Sequence, residues 1–390
     1  MSTHDDQNTT LTAQCLCKSS TFSSQVSRQK LPLEASMCHC TSCRNVTGAM
    51  YSSDTDWPGP MEEVLNSELK RYEFTSNVGI LFCGTCSTPM FWHQHYQDKP
   101  QSIGVFTGAL KNVGIKNLVK FVDQIFVGDT QDGGISPWLS NVNQEGSTLR
   151  LWKGNRNVSE ELKDDWPPSA GGSVPGTVSR DGIPIHCRCN GVQFVFRPSN
   201  VDFSDTTNNP IPFYVDPKSY KHLATLDPCS YCRLSVGVDV MNWTFALPAQ
   251  IEFAKGSKED RFPRDTHELK EAVVNPDRDP RYGTLAMYRS SPDVQRYFCS
   301  RCSALVFYTV DDRPEVIDVA VGLLQAPEGA RAESVLVWHL GAKTMGDEEN
   351  GDSWRDTFAR SVNETSEKWR VEKGYPKTWA RLAAEDAKKE

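Results

Sequence analysis

A chain of 390 residues exceeds a single typical domain and offers enough apolar material for two cores. Its formal net charge of -8 argues against a nucleic-acid partner, which usually meets a basic protein face. Thirteen cysteines, odd in number and tightly grouped, argue against a disulfide framework and for metal ligands or catalysts in a reducing compartment.

Residues 1–10 are polar and acidic, without the features of a secretory or mitochondrial leader. No apolar run approaches the roughly 18 residues of a membrane helix. A cytoplasmic protein is expected, the nucleus being the other compartment open to it, with no membrane association.

The cysteines then fall into a series that occurs twice. Cys15-Leu-Cys17, Cys38-His39-Cys40-Thr-Ser-Cys43-Arg44 and Phe82-Cys83-Gly-Thr-Cys86 come first. Cys187-Arg-Cys189, Asp227-Pro-Cys229-Ser-Tyr-Cys232-Arg233 and Phe298-Cys299-Ser-Arg-Cys302 follow in the same order. A duplicated domain is the reading, with copies at 10–155 and 182–345, a Pro/Gly/Ser-rich linker at 156–181 and a charged, helix-prone tail at 346–390. The tail is expected to pack on the second copy or to fray. Residues 193–196, 238–245 and 305–310 combine β-branched and aromatic residues with turn-rich flanks, so each copy is expected to be mainly antiparallel β-sheet. The charged segment at 254–281 reads as a solvated surface excursion.

A Cys-x-x-Cys turn aims two thiolates at one ion, and two chelating pairs complete a tetrahedral zinc site. Cys15, Cys17, Cys83 and Cys86 are therefore assigned to one structural zinc, and Cys187, Cys189, Cys299 and Cys302 to another. The set Cys38, Cys40 and Cys43 is one ligand short of a closed shell, the pattern of a reactive zinc with an open position. His39 is a possible fourth ligand, although its neighbours on both sides ligate and it is expected to point away. A distant side chain closing the shell, or a labile disulfide among the three thiols, are the alternatives. Asp227, Cys229 and Cys232 form the matching set, either a weaker zinc site or one that has lost its metal.

These residues resemble the glutathione-dependent formaldehyde-activating enzyme family, the CENP-V/GFA domain, whose fold is Mss4-like. The likeness rests on the three cysteine groups of the first copy and on Gln124-Ile-Phe-Val-Gly-Asp129 leading to Ser136-Pro-Trp138. The arrangement is similar to fungal-type proteins with two such domains in tandem. It implies two Mss4-like zinc-binding β-domains with a C-terminal helical tail, and a catalytic zinc on Cys38, Cys40 and Cys43. It further implies a carbon–sulfur lyase that joins glutathione, or a similar thiol, to a small aldehyde. Gln124 stands where the family often has His, and Asp227 replaces a cysteine.

Glutathione carries two carboxylates, so Arg44 and Arg233, each directly after a cysteine set, are candidates to grip them. Trp57 and Trp92 are candidate pocket walls, with core packing as the other fate. A non-catalytic zinc-stabilised binding module, or an enzyme diverted to a secondary metabolite, are the competing functions. Oligomeric state is not legible.

Overall fold

The computed structural model describes residues 7–387 apart from 112, 144, 164–165, 168–179, 206, 208, 256–260 and 343–352. Most of the segment read as the interdomain linker lies outside the described residues.

The first half opens with a hairpin of β1 (Asn8–Gln14) and β2 (Thr21–Ser27). Its main sheet contains β3 (Leu33–Cys38), β4 (Ser52–Asp56), β5 (Lys70–Thr75), β6 (Val78–Phe82), β7 (Pro89–Gln94) and β8 (Ser102–Phe106). β9 (Val119–Ile125), β10 (Arg150–Trp152) and β11 (Glu161–Leu162) complete it. Among the described residues the order is β11-β10-β9-β3-β4-β8-β7-β6-β5. β11 lies past residue 155, inside the segment read as linker, held to β10 by a two-pronged Arg150–Glu161 ion pair at 2.7 and 2.9 Å.

The second half starts with β12 (Ile183–His186) and β13 (Gln193–Phe196), then β14 (His222–Asp227), β15 (Met241–Ala246) and β16 (Ile251–Phe253). It continues through β17 (Leu285–Ser291), β18 (Val294–Cys299), β19 (Leu305–Val310), β20 (Ile317–Ala320) and β21 (Leu336–Trp338). Its main sheet runs β17-β18-β19-β20-β15-β14-β21, the same path as β5-β6-β7-β8-β4-β3-β9. In each sheet the last neighbours of that path are parallel, β3 with β9 and β14 with β21, and in the first sheet β9 is also parallel to β10. The chain is mainly β.

Short helices α1 (Thr41–Thr47) and α3 (Ser230–Val236) follow the two middle cysteine sets. α2 (Met61–Leu65), α4 (Thr266–Val274), α5 (Trp354–Glu372) and α6 (Trp379–Asp386) are the other α-helices among the described residues. None is long and apolar enough to cross a membrane.

The two halves share one continuous apolar core. Their junction is nearly two-fold. Gly48 and Gly237 end α1 and α3 in the left-handed conformation, at φ 88° and 73°, which glycine adopts without steric penalty. Gly322 N–H donates to the Gly48 carbonyl at 3.0 Å, and Gly108 N–H donates to the Gly237 carbonyl at 2.9 Å. A Cβ on Gly108 would stand 2.3 Å from the Gly237 carbonyl carbon, so main chain meets main chain and neither side can yield. Gly108→Ala is expected to destabilise the chain by about 2–3 kcal/mol, read from urea unfolding. A change below about 0.5 kcal/mol, the size of an ordinary surface substitution, would deny that this backbone contact is tight.

Two expectations need correction. The segment 254–281 is not simply a solvated excursion, because α4 lies within it, capped by the Asp265 side chain on Glu268 N–H at 2.8 Å. Phe262, Leu269 and Val273 are buried there among the second half's apolar residues, and that stripe was masked by the surrounding charge. Nor does the tail pack on the second copy alone. α5 lies on the first half, with Phe358 5.1 Å from Phe121 and Trp369 5.6 Å from Trp138 between ring centres. α5 also reaches the second half, where Arg355 pairs with Asp239 at 2.9 Å, and α6 lies on it, with the Trp379 indole donating to the Phe213 carbonyl at 2.9 Å.

Candidate metal centres

Cys15 follows β1 in a tight turn whose Ser20 N–H donates to the Cys15 sulfur at 3.3 Å. Cys83 and Cys86 sit in the turn between β6 and β7, closed by Ser87 N–H on the Cys83 carbonyl at 2.9 Å. The two turns meet, and the Cys15, Cys17, Cys83 and Cys86 Sγ atoms all lie within 4.8 Å of one another. Cys187, Cys189, Cys299 and Cys302 converge in the same way. Sulfur pairs stand 3.5 Å apart at Cys15–Cys17 and 3.6 Å at Cys187–Cys189. Zinc–sulfur bonds of 2.3 Å in a tetrahedron need about 3.8 Å between sulfurs, so both sets fit that ion.

Proton competition points the same way. Hydrogen bonding with Cys15 and then Cys86 drives the Cys83 thiol far down, while hydrogen bonding with Cys15 and then Cys83 drives Cys86 far up. Four thiols so close ionise together only around a cation. Each cluster also abuts the opposite half: Tyr72 faces Cys302, Cys189 and Cys187, and Tyr288 faces Cys17, Cys86, Cys15 and Cys83.

The middle set of the first half is built at a strand-to-helix corner. Cys38 ends β3, Cys40 is the N-cap of α1, and Cys43 lies in its first turn, donating its N–H to the Cys40 sulfur at 3.2 Å. The three Sγ atoms lie within 4.8 Å of one another, and among the described residues no fourth His, Cys, Asp or Glu joins them. Hydrogen bonds from Cys38 and Cys43 pull the Cys40 thiol down to about 3, whereas Cys43 is driven well up, the lowering bonds from Cys38 and the Ser52 hydroxyl being outweighed by its bond with Cys40 and by burial. This donor set fits zinc with one position left for another ligand.

His39 stays outside the group. It is buried, stacks on Tyr51 with ring centres 6.0 Å apart, and its Nε2 meets Gln124 Oε1 at 2.7 Å. Gln124 Nε2 donates in turn to the Ser136 carbonyl at 3.0 Å, so its Oε1 is the acceptor and His39 Nε2 carries a proton. Burial lowers the His39 pKa to about 4, leaving the ring neutral near pH 7. This link from β9 to the cysteine corner was not anticipated, although Gln124 itself had been singled out. Asp129 also faces the corner, where burial and then the Cys40 charge raise its pKa while a bond from the Thr41 backbone lowers it.

On the face that carries Cys38, the cross-strand pairs Cys38/Ser52 and Ser36/Asp54 succeed one another, and Ser36 also pairs with Asp123 of β9. Arg156 binds Asp123 at 2.5 Å and donates to Ser36 Oγ. Trp92 lies flat across Gly104 of β8, where a Cβ would stand 2.3 Å from the indole. It is therefore available as a wall of this face, whereas Trp57 is buried with its ring 5.4 Å from Phe91.

Desolvation raises the Asp54 carboxyl from 3.8 to about 7. Because the folded value is the higher one, protonated Asp54 favours folding fully below pH 3.8, and that contribution fades as pH rises through about 7. Asp54→Asn is expected to remove the fade. Wild type should lose on the order of 2 kcal/mol more than the variant between pH 5 and pH 8 in urea unfolding, after discounting for partial exposure. Parallel pH profiles would contradict a raised Asp54.

Both arginines hold bonds within the chain. Arg44 is buried and donates Nε to the His39 carbonyl at 3.3 Å and Nη2 to Thr41 Oγ1 at 3.1 Å, close enough to Cys40 for the charges to interact. It braces the corner. Arg233 reaches across the junction to the Gly108 carbonyl and, at 3.1 Å, to that of Leu110. Helix α3 aims it into the other half, where it joins the two halves. Asp227, Cys229 and Cys232 do cluster, with ligand atoms within 4.8 Å of one another, but Asp227 Oδ1 already accepts from Cys229 N–H at 2.8 Å.

Residues 10–129 match the family model described as glutathione-dependent formaldehyde-activating enzyme, GFA, and that span contains the first seven cysteines. These residues form a GFA domain. Comparisons with curated proteins and with solved structures found no match. Within the GFA domain lie one four-cysteine cluster and the three-cysteine corner, with Asp129 as the last matched residue.

Proposed function

We propose that the GFA domain is a zinc-dependent carbon–sulfur lyase that adds glutathione, or a similar thiol, to a small aldehyde and catalyses the reverse. The observation that carries this reading is the cluster of Cys38, Cys40 and Cys43, three thiols one short of a closed shell inside the family match. Zinc bound there would supply Lewis acidity and favour a thiolate at neutral pH.

The remaining work falls to the chain. The Cys43 N–H and the Ser52 hydroxyl donate to ligand sulfurs and fix their orientation. Arg44 and the neutral His39–Gln124 link hold the corner rigid. In the forward direction a carbon–sulfur bond forms, the thiol loses its proton, and the carbonyl oxygen gains one, with no net oxidation. Asp54, near half-ionised at neutral pH, is suited to accept and return that proton. Trp92 covers the face, and Arg156 brings a more accessible guanidinium for a substrate carboxylate.

Exchange NMR on a mixture of glutathione and formaldehyde tests the reading. The protein should accelerate interconversion of free thiol and S-hydroxymethyl adduct. Unchanged exchange rates, together with no acceleration for other thiol–aldehyde pairs, would refute it.

A further inference from the structure

We propose that the second middle set, Asp227, Cys229 and Cys232, holds no metal because the guanidinium of Arg296 stands in its place. Strand register makes the two corners directly comparable. Cys38 pairs with Ser52 as Asp227 pairs with Met241, and Ile80 pairs with Trp92 as Arg296 pairs with Tyr308. Trp92 then pairs with Gly104 as Tyr308 pairs with Asp318. An apolar isoleucine of the first half is thus an arginine in the second.

Arg296 does not escape to solvent. It is 4 % exposed, with its Nη1 3.6 Å from Cys232 Sγ, its Nε on Ser290 Oγ at 3.1 Å, and its guanidinium 4.9 Å from the centre of the Tyr308 ring. Its positive charge also reaches Asp227 and Asp318. Asp318 is in addition ion-paired with Arg313 at 2.9 Å.

A divalent ion at this corner would have to sit beside a buried guanidinium, in a low dielectric where like charges repel strongly. It would also have to compete for the Asp227 oxygen that caps Cys229 N–H. Arg296 places a positive charge near Asp227 before any cation arrives, so a cation gains less there. Asp227 and Arg296 act as a complementary exchange: a thiolate ligand becomes a carboxylate, and a neighbouring apolar side chain becomes a buried cation against Cys232. Metal-dependent chemistry is then confined to the GFA domain, and the second half serves as its folded partner across the two-fold junction.

Zinc content of the full chain, purified without chelator, tests this by elemental analysis. Wild type is expected to hold three zinc ions per chain. Cys229→Ser, and separately Asp227→Asn in case the serine variant folds poorly, should retain all three. The loss of one ion from folded protein in either variant overturns the proposal. The double substitution Asp227→Cys with Arg296→Ile, which restores the first-half pattern, should gain a fourth ion, and no gain counts against Arg296 and Asp227 as the excluding pair. Cys43→Ser should fall to two; if it stays at three, the reading of the GFA corner fails while the proposal for the second corner is judged on its own variants.

Discussion

Cys83→Ser is expected to lose one zinc ion and to lower Tm by about 10–20 °C, on the order of 5 kcal/mol of stability. The reason is topological. Cys83 and Cys86 leave the sheet after β6, while Cys15 and Cys17 follow the β1 strand of the separate hairpin, so the ion ties two sheets that share few hydrogen bonds. The damage should also spread. Tyr288 of the second half packs beside this cluster, so both halves are expected to melt together rather than in two steps. Calorimetry with parallel metal analysis is the check. Zinc loss without a fall in Tm would show that the ion, though bound, holds nothing together.

Cys40→Ser is expected to behave in the opposite way. Its exchange activity should fall about 10³-fold, to near the uncatalysed rate, because the open three-thiolate site loses a ligand. Its Tm should change by far less than that of Cys83→Ser. Cys40 is the N-cap of α1, and serine fills that position well, so the helix keeps its first hydrogen bond. Exchange NMR and calorimetry on the same preparation separate the two quantities. Full activity in folded Cys40→Ser would remove the corner from the mechanism; a collapse in Tm equal to that of Cys83→Ser would make it structural.

Much of this was legible because metal ligation imposes close, regular spacing on the cysteines. The grouping of Cys15 and Cys17 with Cys83 and Cys86 needed only the chelate rule, and the sulfur atoms indeed converge. The expectation that His39 turns away followed from its two ligating neighbours. Other features depend on register and not on local pattern. Ile80 and Arg296 occupy comparable positions only once strands β6 and β18 are paired, and Arg296 is 64 residues in sequence from the sulfur it touches. The contacts of Arg44 and Arg233 were not legible for a related reason, since proximity to a cysteine in sequence does not say into which half a helix aims the next side chain. Helix α4 was hidden because Phe262, Leu269 and Val273 are diluted among charged residues. The tail was helical as expected, but the Trp354, Phe358 and Trp369 stripe finds its partners on Phe121 and Trp138, more than two hundred residues upstream.

The central physical claim is that thiolates from distant stretches of chain share metal ions. An anomalous difference map at the zinc edge, from crystals of chain never exposed to chelator, examines it atom by atom. Peaks are predicted among Cys15, Cys17, Cys83 and Cys86, among Cys187, Cys189, Cys299 and Cys302, and at Cys38, Cys40 and Cys43. An ordered four-cysteine cluster without a peak would contradict the account.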